Sequence, residues 1–155
     1  MPSLPTISIL YEQDYYLWLK TTIQKIRLQQ FSAVDWENLL LELESMGRSE
    51  KRTLEGLLIR LFEHLLKLAH WTTEKDYNES HWKAKICNFR KQIKKELKAS
   101  PSLKAYLLEI FQESYQDAKE IISERSNLPL ETFPIEPIAT VEQILDENWY
   151  PTTKS

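Results

Sequence analysis

One run of residues constrains this chain more than any other: Asp35 to Trp71. Leu39, Leu43, Met46, Leu54, Leu57/Leu58, Leu61, Leu65 and Leu68 recur at spacings of three and four, which puts them on one helical face. The register passes Gly47 unchanged. The spacing therefore predicts one long helix from Trp36 to about Trp71, roughly 54 Å at 1.5 Å per residue. Gly47 and Gly56 each cost about 1 kcal/mol of helix propensity relative to alanine, and Gly47 is where a kink or a close helix approach is expected. A helix of this length needs other helices to cover its apolar face.

The rest of the chain supplies them. Residues 1–10 hold two prolines and little periodicity, and read as an N-terminal arm packing through Ile7, Ile9 and Leu10. A first helix is expected from about Tyr11 to Gln29, with Tyr15/Tyr16, Leu19, Ile23 and Ile26 on one face. Ser32 or Asp35 is expected to cap the long helix that follows. Thr72 to Glu79 reads as a polar connection. A third helix is expected over Ser80–Lys98, with the apolar stripe Trp82, Ile86, Phe89, Ile93 and Leu97. Ser100 as N-cap and Pro101 at the first helical position open a fourth, with Leu103, Leu107, Ile110, Ala118 and Ile122 inward and Asn127 as its C-terminal cap.

Pro129, Pro134 and Pro137 forbid regular helix beyond it. Leu130, Phe133 and Ile135 predict a strap wrapped over the core. Thr140 with Gln143 forms a capping box for a short last helix, anchored by Ile144, Leu145, Trp149 and Tyr150. The expected fold is all-α: an up-and-down helical bundle with four main helices, a proline-rich strap and a short C-terminal helix. Residues 11–151 form its single domain, and 152–155 a flexible tail. Its expected core includes Leu19, Ile23, Leu39, Leu43, Leu54, Leu58, Leu61, Leu65, Ile86, Ile93, Leu107, Ile110 and Trp149.

Composition narrows the function classes. Hydrophobic residues at 42% and charged residues at 28% are ordinary for a soluble protein. The longest apolar stretch is interrupted by Arg60, Glu63, His64 and Lys67, so no segment reads as membrane-spanning. The lone cysteine, Cys87, excludes an internal disulfide and fits a reducing, cytoplasmic setting. The net charge of −3 conceals an asymmetry. Residues 67–98 carry nine Lys/Arg against four Asp/Glu, and residues 109–155 carry ten Asp/Glu against three Lys/Arg. Such separation either steers a partner or is satisfied within and between copies of the chain.

Several strings then coincide in order. Tyr11-Glu12-Gln13-Asp14-Tyr15-Tyr16-x-Trp18 opens the first helix. Asp35-x-Glu37-Asn38-Leu39-x-x-Glu42-Leu43-Glu44-Ser45-Met46-Gly47-Arg48-Ser49-Glu50-Lys51-Arg52 opens the second, which closes on His64-Leu65-Leu66-Lys67. Pro101-Ser102-Leu103, Leu128-Pro129-x-x-x-Phe133-Pro134 and Ile144-Leu145-Asp146-x-x-Trp149-x-Pro151 follow. Over residues 10–151 the chain resembles DUF29, a family of uncharacterised bacterial proteins abundant in cyanobacteria. The resemblance implies a compact all-α domain of cytoplasmic type and brings no catalytic assignment. Members commonly show Arg-x-x-Ser-Trp near the third helix. This chain has Asn78-Glu79-Ser80-His81-Trp82 instead, so no role requiring that arginine or serine carries over.

Candidate chemistry is sparse. Glu37, Glu44, His64, His70 and His81 are the metal suspects, yet no Glu-x-x-His, His-x-x-x-His or Cys-x-x-Cys spacing occurs. No phosphate-cradling glycine loop occurs either. No metal or cofactor is expected, and catalysis is not the favoured reading; an enzyme of unknown reaction class is the remote alternative. Asp14, Glu42, Glu44, Arg48, Arg52 and His64 form a candidate polar network that fixes helix ends. Cys87 is expected to be partly buried beside the Trp82–Ile86 stripe. Lys83, Arg90, Lys91, Lys94, Lys95 and Lys98 form a candidate anion-binding face, the basis of a nucleic-acid alternative. The favoured reading is a protein-interaction or structural module, a homodimer or the receptor of a heterologous protein partner.

Overall fold

The computed structural model describes residues 6–153. These residues contain no β-strand and form six α-helices: α1 Ile7–Gln13, α2 Tyr15–Arg27, α3 Trp36–His70, α4 Thr72–Ala99, α5 Leu103–Ser126 and α6 Val141–Leu145. Short 3₁₀ turns lie at Phe31–Ala33 and Leu130–Thr132. The chain divides into two compact units, a first up to Ser49 and a second from Glu50. The helix α3 lends its opening turns to the first and its remainder to the second. It is a single 35-residue helix, continuous through Gly47 as the spacing predicts.

The second unit is an up-and-down bundle of α3, α4 and α5, closed by the strap and α6. Leu54, Leu58, Leu61, Leu65, Ile86, Ile93, Leu107 and Ile110 are all buried there, as their periodicity requires. Trp149 is half-buried at the edge of this core. The strap is tied from α5: the Tyr115 hydroxyl donates to Pro134 O at 2.7 Å, and Ser123 Oγ donates to Leu128 O at 2.7 Å. Of Leu130, Phe133 and Ile135, the residues expected to hold the strap to the core, only Phe133 inserts. Leu130, in the 3₁₀ turn, and Ile135, in the bend after Pro134, are exposed. Asn127 takes the left-handed conformation that ends α5, φ 59°. Thr140 and Gln143 complete the reciprocal capping box of α6.

Four element boundaries differ from the sequence reading. The first helix is broken at Asp14, whose carboxylate accepts from Leu17 N at 3.0 Å and caps α2, so the preceding turns become α1. Helix α1 begins at Ile7, inside the expected arm; residues 1–5 of that arm lie outside the described residues. The polar stretch 72–79 is helical, the first turns of α4. It has no apolar face, but neither has it glycine or proline to break it. Asn78 Nδ2 donates back to Glu74 O at 2.9 Å, and Trp71 stacks on Trp82 with centroids 5.8 Å apart. Ser100 caps the end of α4 instead of opening α5, which starts after a Pro101–Ser102 turn closed by Leu103 N donating to Ser100 O at 3.0 Å. At the start of α3, Asp35 is the capping residue; its carboxylate accepts from Asn38 N and Asn38 Nδ2.

Candidate functional site

The first unit is built around tyrosines and a carboxylate. Tyr11, in α1, and Tyr15, at the start of α2, both donate their hydroxyls to Glu42 of α3, Tyr15 at 2.6 Å. Trp18 Nε1 donates to Asp35 Oδ2 at 3.2 Å. The three rings pack together, Tyr11 edge-on to Trp18 at 4.9 Å and Trp18 stacked on Tyr15 at 5.9 Å. These contacts join the start of α2 to Glu42 and place Trp18, fully buried, against the start of α3. The bond to Glu42 pushes the Tyr11 hydroxyl up to about 12 and raises that of Tyr15, while holding the Glu42 carboxyl below its usual range. Burial pushes Asp35 up, but the hydrogen bonds from Asn38 and Trp18 outweigh it and the carboxyl ends below its usual range.

Pinning one face of each helix leaves the opposite faces uncovered. Ile23 and Leu43, expected in the core, are 47% and 55% exposed; Leu19 and Leu39 are half-buried. Two helices and a short third can cover only their mutually facing sides, so the periodicity that predicts burial is satisfied on one side alone. Tyr16 and Ile23 of α2 and Trp36, Leu40 and Leu43 of α3 are all exposed. At 100° per residue, 36, 40, 43 and 47 fall within one narrow stripe, as do 16, 20, 23 and 27. Gly47 ends the first stripe in open space: a Cβ there would meet nothing within 4 Å. Outside this unit, Tyr77, Leu108, Leu130 and Ile135 are the only large apolar side chains exposed among the described residues. Apolar exposure concentrated in this way marks a contact surface.

Most of the remaining polar-network candidates have local partners. Asp14 is the α2 cap. Glu44 approaches Arg48 at 4.0 Å, both exposed, a one-turn pair worth only about 0.3–0.5 kcal/mol. Arg52 is exposed. His64 Nδ1 lies 2.8 Å from Arg60 O and therefore donates to it, with Phe89 edge-on to the ring at 5.2 Å. Cys87 is exposed and not partly buried: the α4 stripe turns Trp82, Ile86 and Phe89 inward and Cys87 outward. Among the described residues no group of three His, Cys, Asp or Glu is placed to hold a metal ion, and no helix is long and apolar enough to cross a membrane.

The basic face of α4 is reduced by its surroundings. Arg90 does not belong to it: the side chain is fully buried, with Nε donating to Ile144 O. Lys83 pairs with Glu79 at 3.0 Å and lies over the Tyr150 ring, and Lys94 pairs with Glu147 at 3.6 Å. The last pair joins the basic and acidic segments inside one unit, so part of the charge asymmetry is satisfied internally.

The buried face of α3 gives a pH-dependent expectation. Burial pulls His64 down to about 4, so the folded chain binds fewer protons there than the unfolded chain. The stabilising contribution of the neutral ring is complete above about pH 6.5 and is lost as pH falls toward 4. Its neighbour Glu63 is raised by burial, which favours the folded state on acidification and opposes the trend. Comparison with His64→Asn isolates the histidine: across pH 6.5 to 4 the native chain should lose stability relative to the variant in urea titrations. Parallel curves would contradict a neutral, half-buried ring.

Comparison with known sequences gives one finding. The family model of the domain of unknown function DUF29 matches residues 10–150. No curated protein and no solved structure matches the chain.

Proposed function

The chain belongs to the DUF29 family, and from that premise we propose that it is a protein-interaction module whose contact surface is the uncovered face of the first unit. The observation that carries this is the concentration of exposed large apolar side chains on α2 and the opening of α3. Interfaces take their adhesion from a few such anchors, aromatics foremost, and Tyr16 and Trp36 supply two. The tyrosine–Glu42 arrangement reads as positioning: it fixes the helix pair so that the outer stripes keep one geometry. Nucleic-acid binding by α4 loses support from the burial of Arg90 and the pairing of Lys83 and Lys94.

Photo-crosslinking in the native host tests the reading. A photoreactive residue at position 40 or 43 should yield protein adducts, whereas the same residue at Leu108, exposed in the second unit, should yield few. Equal yields at all three positions, or none at 40 and 43, would count against an interaction surface there.

A further inference from the structure

We propose that a cavity of about 230 Å³ bounded by α5 and the strap is a binding site for a small monocarboxylate with an apolar body, its anionic head taken by Lys119. Lys119, Leu130, Glu131, Phe133 and Ile135 line the cavity. All five belong to the second unit, so the site does not depend on the interaction reading above. The volume falls below the roughly 300–1,000 Å³ of pockets that take drug-sized molecules, which limits the occupant to a small one.

The warrant is the state of Lys119. Its side chain is buried, only 6% exposed. A buried cation is costly unless it is paired or hydrogen-bonded. Among the described residues Lys119 makes no hydrogen bond and no ion pair; its one contact is the Tyr115 ring, 5.6 Å from Nζ to the centroid. That attraction to the ring face leaves the three N–H donors of the ammonium unused. Nor is the ammonium sealed in. The enclosed polar atoms that lack a partner are Thr22 Oγ1, Arg90 Nη1 and Ser114 Oγ, so the little of Lys119 that solvent reaches includes Nζ. A packed stem thus carries a donor-rich head to the cavity.

The surroundings fix this arrangement and select the ligand. Lys119 lies one turn beyond Tyr115 on α5. The strap carbonyls of Pro134 and Ile135 accept from the Tyr115 hydroxyl at 2.7 Å and from Gln116 Nε2 at 3.3 Å, and not from Lys119. These bonds hold the strap in place without using the ammonium, whose free donors call for an anionic oxygen. Phe133, inserted in the core, supplies an apolar wall. Leu130 and Ile135 are two of the four large apolar side chains that the second unit exposes among the described residues, and both border this cavity. An apolar ligand body covers them. Glu131, exposed on the 3₁₀ turn, is the only other charge in the lining. Its carboxylate opposes a second negative charge on the occupant, which favours a monocarboxylate over a dicarboxylate or a phosphate ester.

Hexanoate at neutral pH is the probe. Titrated into the isotope-labelled native chain, it should move the amide resonances of Lys119, Glu131, Phe133 and Ile135 saturably, with a Kd of about 1 mM or tighter, the range open to a ligand of few atoms. Hexanamide, of the same shape without the charge, should bind at least tenfold more weakly, and so should hexanedioate. Lys119→Met keeps an unbranched apolar stem beside Tyr115. It should weaken hexanoate at least tenfold with its urea midpoint near the native one. Glu131→Gln should tighten hexanoate and narrow its advantage over hexanedioate. The proposal is overturned by no saturable shift up to tens of millimolar, by shifts scattered away from this cavity, by hexanamide or hexanedioate binding as tightly as hexanoate, or by native affinity in a folded Lys119→Met. The three-ligand comparison uses the native chain, so the result stands even where Lys119→Met fails to fold.

Discussion

Phe62→Ala should destabilise the second unit by about 3–5 kcal/mol, among the largest effects of any single core truncation in this chain. The ring is fully buried and meets Phe111 and Tyr115 edge-on at 5.0 and 5.2 Å. Truncation removes a large apolar side chain and two aromatic contacts worth about 0.5–1.5 kcal/mol each. The space left cannot collapse easily, because Tyr115 is itself fixed by its bond to Pro134 O. Leu61→Ala and Leu107→Ala, both fully buried, belong to the same class at about 2–5 kcal/mol. Urea titration should show the midpoint falling with an unchanged slope. A cost below about 1 kcal/mol for Phe62→Ala would contradict its burial between α3 and α5.

The contrast between Phe62 and Leu43 shows what was legible in the sequence and what was not. Both lie on α3, in a helix whose continuity follows from unbroken spacing and from the absence of proline. Periodicity identifies an apolar stripe but not what covers it, so Leu43 and Ile23 entered the expected core although only one side of each N-terminal helix is packed. Local signals hold at the Thr140 box and at Asn127, and of the two caps offered for α3 the structure uses Asp35, but the Ser100–Pro101 signal fails because Ser100 ends α4 instead. The break at Asp14 also has a local cause, but aspartate at that position suits a helix interior in its first turns as well as a cap. The helicity of residues 72–79 is hidden in the sequence because a solvated helix with no apolar face has no periodic signature, and its support comes from the Trp71–Trp82 stack and side-chain pairs. The candidate surface is not legible in the sequence: Tyr16, Ile23 and Leu43 read there as parts of packed apolar faces, and their exposure depends on which faces the Glu42 and Asp35 contacts pin inward.

Arg90 is the sharpest case of a side chain whose role the sequence concealed, and its replacement should be as damaging as that of Phe62. In a run of lysines on α4 it reads as surface charge. In the fold it is fully buried and reaches α6, where Nε donates to Ile144 O at 2.8 Å and Nη2 to Gln143 O at 3.1 Å. The last carbonyls of a helix have no intrahelical partner, and a cation at that end also meets the negative end of the helix dipole. The guanidinium lies over the Tyr150 ring at 5.4 Å. Burial lowers its pKa, while Tyr150, Asp146, Cys87 and Glu147 favour the charge. Nη1 finds no hydrogen-bond partner among the described residues, so the buried cation is already imperfectly satisfied. Arg90→Ala should cost about 3–5 kcal/mol, combining two charge-assisted bonds with the loss of a long packed stem. Arg90→Met restores most of the volume but leaves Ile144 O unsatisfied and Gln143 O with only the Asp146 amide at 3.2 Å, and should recover less than half of the loss. Arg90→Lys should do little better, because an ammonium lacks the planar fork that spans two adjacent carbonyls. Hydrogen exchange locates the damage: in Arg90→Ala the Ile144 and Asp146 amides should exchange sooner than amides in the middle of α4. Unchanged stability, or a loss of stability with those two amides still protected, would mean that Arg90 does not clasp α6 to the bundle.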